Sequence, residues 1–276
     1  REVLLAGSAY EEGESDLGWM IRRKSGSAVI RMLGYAFRKT LRRCTSAVTF
    51  DRASFEQAVA AAPDGALYVL APSHRSYFDF LLMSYLCFQH PELGIPIPYI
   101  AAAEEFSRIP LVGQLLRRAQ AFYIQRGVGT ASSSLNAELA RISELGASLM
   151  FFIEGQRSRS RHTLAPRRGL LRGLQRTGKR FVVIPISLSY DRLPEESAFA
   201  KELSGGDKPK MSVSAIVDWL QSVAQGDVQL GRVHIAAGHP AQLDPSTDVA
   251  ALSLHIVEEL ARNTTISRFH VRAFLA

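Results

Sequence analysis

The chain has 276 residues, 47% of them hydrophobic and 21% charged, which provides for a substantial core in one large domain or two small ones. Its net charge of +7 and isoelectric point near 9.6 favour anionic partners, such as phosphorylated metabolites, acidic lipid or nucleic acid. The two cysteines, Cys44 and Cys87, are far apart, which excludes a disulfide framework or a cysteine zinc motif and favours a reducing compartment. The apolar runs are too short to span a bilayer.

The N-terminal part of the chain divides into two stretches. Residues 1–16 are acidic and poor in large apolar side chains, so we predict a mobile lead-in. From Leu17 to Cys44, apolar residues recur at helical spacing among many arginines and lysines, which predicts a basic amphipathic helix. Such a helix either lies on an anionic membrane surface or docks on the core with its basic face in solvent, and docking is the commoner arrangement.

Residues 46–262 alternate short apolar runs with amphipathic segments, which predicts an α/β domain with a mainly parallel central sheet flanked by helices on both faces. Pro185 interrupts one apolar run and predicts an irregular or edge strand there. Residues 263–276 are predicted to open a further helical segment. Because the chain starts at Arg1 rather than Met, we expect a piece of a longer protein. The predicted strands are 66–70, 99–103, 121–124, 148–153, 181–188 and 232–237, and the predicted helices are 55–61, 80–86, 111–118, 132–145, 215–223 and 249–262.

A polar loop follows the first of these strands and contains His74 and Asp79. Open α/β sheets place their sites at the carboxyl ends of strands. Five residues correspond to about 500° of helical rotation, so the two side chains meet only if His74 lies in the loop and Asp79 in the first helical turn. An imidazole oriented by a carboxylate is a general base for a hydroxyl. The alternative is a capping box formed by Ser76 and Asp79, with His74 on the surface.

A second polar loop follows the strand predicted at 148–153. Arg157, Arg159 and Arg161 stand at alternate positions, which places them on one side of an extended segment. Guanidinium groups bind phosphate bidentately. If the strands are parallel, this loop opens on the same sheet edge as His74; the alternative is a solvated basic loop.

These stretches resemble, in order and spacing, the four motifs of the glycerolipid acyltransferase superfamily, beginning with its His-x4-Asp motif at His74 and Asp79. Gln156 and Gln125 depart from the usual pattern, which has Thr or Gly at the first position and Arg at the second. The similar stretches are 74–79, 113–126, 152–159 and 183–191, within a match over roughly 66–240. Within the superfamily, residues 73–80, 157–171 and 195–210 look most like the branch of glycerol-3-phosphate and dihydroxyacetone-phosphate acyltransferases.

The resemblance implies transfer of a fatty acyl group from acyl-CoA or acyl carrier protein to a hydroxyl of glycerol 3-phosphate or dihydroxyacetone phosphate, giving a lysophosphatidate-type product. It implies that His74 is the general base and that Asp79 orients it. Backbone N–H groups at the start of the following helix are expected to stabilise the oxyanion. No metal or cofactor is expected beside the thioester co-substrate. The implied substrate-binding residues are Arg126, Glu154, Gly155, Arg157, Ser158 and Arg159, with Glu154 expected to orient an arginine.

The expected partners are the acyl donor, the phosphorylated acceptor and an anionic membrane surface, without nucleic acid, and the expected location is the cytoplasmic face of a membrane as a peripheral protein. Two other functions stay open. One is a lysophosphatidate acyltransferase, with the same chemistry and a lipid acceptor. The other is a non-catalytic acyl-CoA or lipid-binding module, against which the intact His74 and Asp79 pair argues.

Overall fold

A computed structural model describes residues 2–6, 27–124, 133–206 and 213–276. Within these residues, nine strands form one sheet in the order β1-β2-β8-β7-β3-β6-β4-β5, with β9 also paired to β7. The strands are β1 (Glu2–Ala6), β2 (Thr45–Phe50), β3 (Leu67–Pro72), β4 (Tyr99–Ala103), β5 (Ala121–Ile124), β6 (Leu149–Met150), β7 (Phe181–Tyr190), β8 (Gly231–Ala237) and β9 (Ala241–Leu243).

The sheet is mixed but mostly parallel, as predicted. Strands β7, β3, β6, β4 and β5 run parallel to one another. Strands β8 and β9 both pair with β7 in the antiparallel sense, and β2 pairs parallel to β8. The carboxyl ends of β3 and β6 therefore meet at one edge, which is where the two polar loops of the sequence begin.

Helices cover both faces of the sheet. They are α1 (Ala28–Cys44), α2 (Arg52–Ala60), α3 (Phe78–Gln89), α4 (Val112–Arg118), α5 (Ser133–Glu144), α6 (Gly169–Gln175), α7 (Glu196–Leu203), α8 (Val213–Gln225), α9 (Val249–Arg262) and α10 (Arg268–Leu275). Because side chains alternate along a strand, Leu70 of β3 joins the core under α1 and α3, whereas Val69 and Ala71 join the core under α5, α6 and α9.

Helix α1 is docked on the core. Its Phe37 packs edge-on against Phe78 at 5.4 Å and against Tyr85 at 6.0 Å between ring centroids, and Leu41 is fully buried. Lys39 and Arg43 are exposed on its other side. The part of the predicted helix before residue 27 lies outside the described residues. None of the helices in the described ranges is long and apolar enough to cross a membrane.

Two predictions about strands were wrong. Residues 2–6 lie within the predicted lead-in, yet they form β1, antiparallel to β2. Strand β7 is neither irregular nor at an edge, since all ten of its residues are buried between β3 and β8. Pro185 is tolerated because its carbonyl accepts the N–H of Gly238, so its missing N–H faces the connection between β8 and β9, where the ladder is already interrupted.

Candidate active site

The structure brings His74 and Asp79 together as the spacing requires. His74 lies in the loop after β3, and Asp79 is in the first turn of α3. The imidazole Nδ1 is 3.0 Å from Asp79 Oδ2. The Asp79 side chain is 0% exposed and the His74 side chain 10%. Because Nδ1 faces the carboxylate, the opposite ring nitrogen, Nε2, is directed away from it.

Asp79 also makes one of the two contacts of the capping box that was the alternative interpretation, although His74 is buried rather than on the surface. Its Oδ2 accepts the backbone N–H groups of Arg75 at 2.6 Å and Ser76 at 2.8 Å. The Ser76 hydroxyl accepts the N–H of Phe78. One buried carboxylate thus closes the turn that leads into α3 and orients the imidazole of the same turn.

Burial sets the protonation of His74. It lowers the imidazole pKa below its ordinary value of 6.5, and the positive charge of Arg157 adds to that effect. The hydrogen bond that His74 donates to Asp79 acts in the opposite direction but does not cancel it. The imidazole is therefore neutral at pH 7, the form in which it accepts a proton.

The second polar loop fixes His74 from three directions. The ring of Phe152 stacks on the imidazole at 3.8 Å between centroids and 11° between planes. Glu154 Oε1 accepts the His74 backbone N–H at 2.8 Å, and the N–H of Ser158 donates to the His74 carbonyl at 2.8 Å. Residues 152–158 therefore hold the backbone and the ring of the histidine at the same time.

Glu154 is a structural anchor of this site. Its fully buried carboxylate accepts Arg75 Nη1 at 3.0 Å on both oxygens, and Oε2 also accepts the N–H of Leu164 at 2.8 Å. The arginine that Glu154 orients is thus Arg75, which the sequence patterns did not indicate. With four hydrogen bonds from three donors on its two oxygens, the carboxylate is committed to the protein itself.

Gly155 and Ser158 shape the loop. Gly155 has φ +69°, and a Cβ built on it would lie 2.9 Å from Arg167 Cγ, so both conformation and space require glycine. Ser158 is 1% exposed, and its Oγ has no hydrogen-bond partner among the described residues. Ser158 contributes to the site through its backbone N–H, which donates to the His74 carbonyl.

Arg157 is the arginine next to the histidine pair. Its guanidinium lies 3.7 Å from the ring centroid of Tyr77 and 4.9 Å from that of Phe199, and its side chain is 11% exposed. Nη1 is 3.4 Å from Glu195 Oε1. The aromatic rings hold the cation in place while a single long ion pair balances its charge.

The other two arginines of the loop are paired with carboxylates of α7. Arg159 forms an ion pair with Glu202, and Arg161 Nη2 lies 3.1 Å from Glu196 Oε1. Like Arg157, which meets Glu195 directly before α7, both therefore face the segment 195–202, so the three arginines share a side that carboxylates cover. Arg126 lies outside the described residues.

The expectation of an oxyanion site at the start of α3 was wrong. The N–H groups of Arg75 and Ser76 donate to Asp79, and the N–H of Tyr77 donates to Glu195 Oε1 at 2.8 Å. The N–H of Phe78 donates to the Ser76 hydroxyl. These donors already have acceptors and do not point at a reacting carbonyl.

Besides Arg75, two site residues were missed as individual candidates. Tyr190 donates its hydroxyl to Asp79 Oδ1 at 2.6 Å. Glu195 accepts from Tyr77 and pairs with Arg157, and burial raises the pKa of its carboxyl above the ordinary value. Both lie in stretches that resemble the superfamily, 183–191 and 195–210, but no local spacing links either one to His74.

This edge of the sheet presents a buried, neutral histidine paired to an aspartate, with an arginine alongside. Such a site belongs to a protein that can take a proton from a hydroxyl near an anion. The chain belongs to the acyltransferase family, whose model matches residues 52–189.

Two relatives found by sequence agree with this assignment. The chain is 34% identical to the dihydroxyacetone phosphate acyltransferase of Bos taurus over 78% of its own length and 32% of the relative's. It is also 34% identical to the glycerol-3-phosphate acyltransferase of Xylella fastidiosa, over 82% of its own length and 26% of the relative's. The chain thus spans about a third or less of these proteins. A crystal structure of the LPA acyltransferase PlsC from Thermotoga maritima is 16% identical and aligns over 91% of this chain and 89% of its own, with a TM-score of 0.45.

Proposed function

We propose that this protein transfers a fatty acyl group from the thioester of acyl-CoA or acyl carrier protein to a hydroxyl of glycerol 3-phosphate or dihydroxyacetone phosphate. The observation that carries the proposal is the His74 to Asp79 hydrogen bond of 3.0 Å at the carboxyl end of β3, with Arg157 beside it. The names of the two relatives, one for each acceptor, support the same substrate class.

The chemistry follows from the geometry. His74 Nε2 takes the proton of the acceptor hydroxyl as that oxygen attacks the thioester carbonyl carbon. Asp79 stabilises the imidazolium that forms. When the tetrahedral intermediate collapses, the carbon–sulfur bond breaks and the imidazolium returns its proton to the leaving thiolate. The thioester supplies the leaving group, so the proposal includes no metal, cofactor or covalent enzyme intermediate.

Arg157 is the best placed of the predicted residues to bind the acceptor phosphate. Its positive charge acts on His74, and its guanidinium carbon lies 3.7 Å from the ring centroid of Tyr77. Its ion pair with Glu195 is long at 3.4 Å, so a phosphate that accepts two guanidinium N–H groups competes well for it. In this proposal Arg159 has a secondary role, because it must first leave Glu202.

The same proposal places the protein on the cytoplasmic face of a membrane as a peripheral protein. The net charge of +7 and the exposed Lys39 and Arg43 on α1 support attraction to anionic lipid. The apolar side of α1 packs on the core, so this attraction is electrostatic rather than an insertion of apolar side chains.

The function is tested by measuring coenzyme A release from palmitoyl-CoA with a panel of acceptors: glycerol 3-phosphate, dihydroxyacetone phosphate, lysophosphatidate and glycerol. We expect release that depends on either three-carbon phosphate and not on glycerol, which lacks the anion. Release with lysophosphatidate alone would assign the lipid-acceptor activity instead. Absence of release with every acceptor, from palmitoyl-CoA and from palmitoyl carrier protein, would indicate a non-catalytic module.

A further inference from the structure

We propose that Tyr190 is a positioning residue for the His74 and Asp79 pair, holding the aspartate so that its other oxygen faces the imidazole. This inference rests on the proposed function and extends it to a residue of β7. The Tyr190 hydroxyl lies 2.6 Å from Asp79 Oδ1, while Oδ2 accepts the hydrogen bond from His74 Nδ1. Tyr190 therefore acts through Asp79 and does not touch a substrate.

The distribution of donors around Asp79 supports this role. Oδ2 accepts three hydrogen bonds, from His74 Nδ1 and from the N–H groups of Arg75 and Ser76. Oδ1 accepts the Tyr190 hydroxyl. A carboxylate is planar and turns about its bond to Cβ, so a donor fixed on Oδ1 sets the direction in which Oδ2 points.

Tyr190 is held well enough to serve as such a fixed donor. It is the last residue of β7 and is 4% exposed. Its carbonyl accepts His270 Nε2 of α10 at 2.8 Å. Since that contact needs a proton on Nε2, His270 Nδ1 is the acceptor for the N–H of Ser267 at 3.1 Å, and one tautomer satisfies both bonds.

The phenol keeps its proton throughout the working range of pH. Burial raises the pKa of Tyr190 well above its ordinary value, and the negative charge of Asp79 raises it further. The hydroxyl is therefore a permanent donor to Asp79. Its removal leaves a buried carboxylate with one donor fewer, which makes that carboxylate more basic and favours the imidazolium form of His74.

The decisive variant is Tyr190→Phe, which keeps the ring and removes the hydroxyl. We expect kcat to fall about tenfold, because a hydrogen bond to a charged group in a buried site is lost, while both KM values stay near the wild type. We also expect the acid limb of the kcat profile and the NMR titration midpoint of His74 to move to higher pH. Tyr85→Phe is the control, since this buried tyrosine of α3 contacts Arg38 and not Asp79.

A double-variant cycle separates positioning from a general loss of packing. In an Asp79→Asn background, Tyr190→Phe should cost little further activity, because its partner is already neutral. Site-specific 3-fluorotyrosine at 190 keeps the volume of the side chain and makes the hydroxyl a stronger donor. It should shift the His74 midpoint to lower pH, and it serves as the test if the phenylalanine variant does not fold.

The proposal is overturned if the His74 midpoint is unchanged in both the phenylalanine and the fluorotyrosine proteins, or if Tyr190→Phe costs the same factor with and without Asp79. The NMR titration needs no turnover. A wild-type protein that releases no coenzyme A therefore refutes the proposed function but leaves the test of Tyr190 intact.

Discussion

Glu154 Oε1 accepts the backbone N–H of His74 at 2.8 Å, so the loop that carries the arginines also holds the histidine. The same carboxylate neutralises the buried Arg75, whose side chain is 8% exposed. The two loops that are separate in the sequence therefore form one unit around a single buried carboxylate.

Glu154→Gln should weaken that unit, because an amide cannot neutralise Arg75 and accept all four hydrogen bonds. Removing one partner of a buried ion pair costs about 3–5 kcal/mol, and we expect the free energy of unfolding to fall by that amount in urea titrations. Glu138→Gln is the matched control, since the Glu138 to Arg141 pair is on the surface and should contribute about 0–1 kcal/mol. Equal losses for both variants would show that Glu154 is not an anchor.

Arg157→Ala should raise the KM for glycerol 3-phosphate or dihydroxyacetone phosphate about tenfold or more, since each charge-assisted hydrogen bond contributes about 1.5–3 kcal/mol. The KM for the acyl donor should change much less. Arg157→Lys should restore only part of the affinity, because an ammonium group keeps the charge but not the bidentate geometry. Steady-state kinetics with each substrate varied in turn check this.

Glu195→Gln should change the acceptor KM in the opposite direction from the Arg157 variants. It removes the carboxylate that competes with phosphate for Arg157 while keeping an acceptor for the N–H of Tyr77, so the acceptor KM should fall. A higher donor KM in Arg157→Ala with an unchanged acceptor KM would instead assign Arg157 to the phosphates of coenzyme A.

The pH dependence of the reaction should reflect the burial of His74. Its folded pKa lies below 6.5, so kcat/KM should hold its value down to that pH and decline below it as the imidazole protonates. Below pH 6.5 the unfolded chain also binds more protons than the folded one. The contribution of His74 to the free energy of unfolding is therefore fully present above pH 6.5 and is lost as the pH falls through the folded pKa. Rates and urea midpoints from about pH 5 to 8 test both effects. A decline in kcat/KM that begins well above pH 6.5 in the wild type would contradict them.

Charge reversal on α1 should weaken membrane binding. Lys39→Glu and Arg43→Glu should each lower the partition onto phosphatidylserine vesicles about fivefold or more, since a basic residue near an anionic surface contributes about 1 kcal/mol. High salt should release the wild type, because the attraction is screened. Lys179→Glu makes the same change in net charge at an exposed site beside α6, which covers the opposite face of the sheet, and should have little effect. Equal losses for the three variants would rule out α1 as the contact surface.

Local patterns predicted the central part of the site because its members are near neighbours. His74 and Asp79 are five residues apart, one in the loop and the other in the first turn of α3, and the strand before them is a continuous apolar run. The approximate positions of the strands around them followed from similar runs, and β4 and β5 agree with prediction at both ends. Hydrophobic periodicity is reliable where a buried segment is bounded by turn residues.

The remaining features depend on contacts between distant parts of the chain. Tyr190 is 111 residues from Asp79, and Glu195 is 118 residues from Tyr77, so no spacing rule connects them. Strand β2 follows α1 without an intervening turn and was missed for that reason. The position of Pro185 in a central strand depends on where β8 ends, which local sequence does not specify.

The role of His74 as the base that activates the acceptor hydroxyl is tested most directly by acceptor-dependent coenzyme A release from His74→Ala. We expect kcat to fall about 10²–10⁴-fold, the contribution of a positioned general base. Cys44 and Cys87 report on the fold of the variant, because burial raises the pKa of each thiol to about 12 and should protect both from alkylation in the native protein. Wild-type turnover by a His74→Ala protein whose thiols remain protected would show that His74 is not the base.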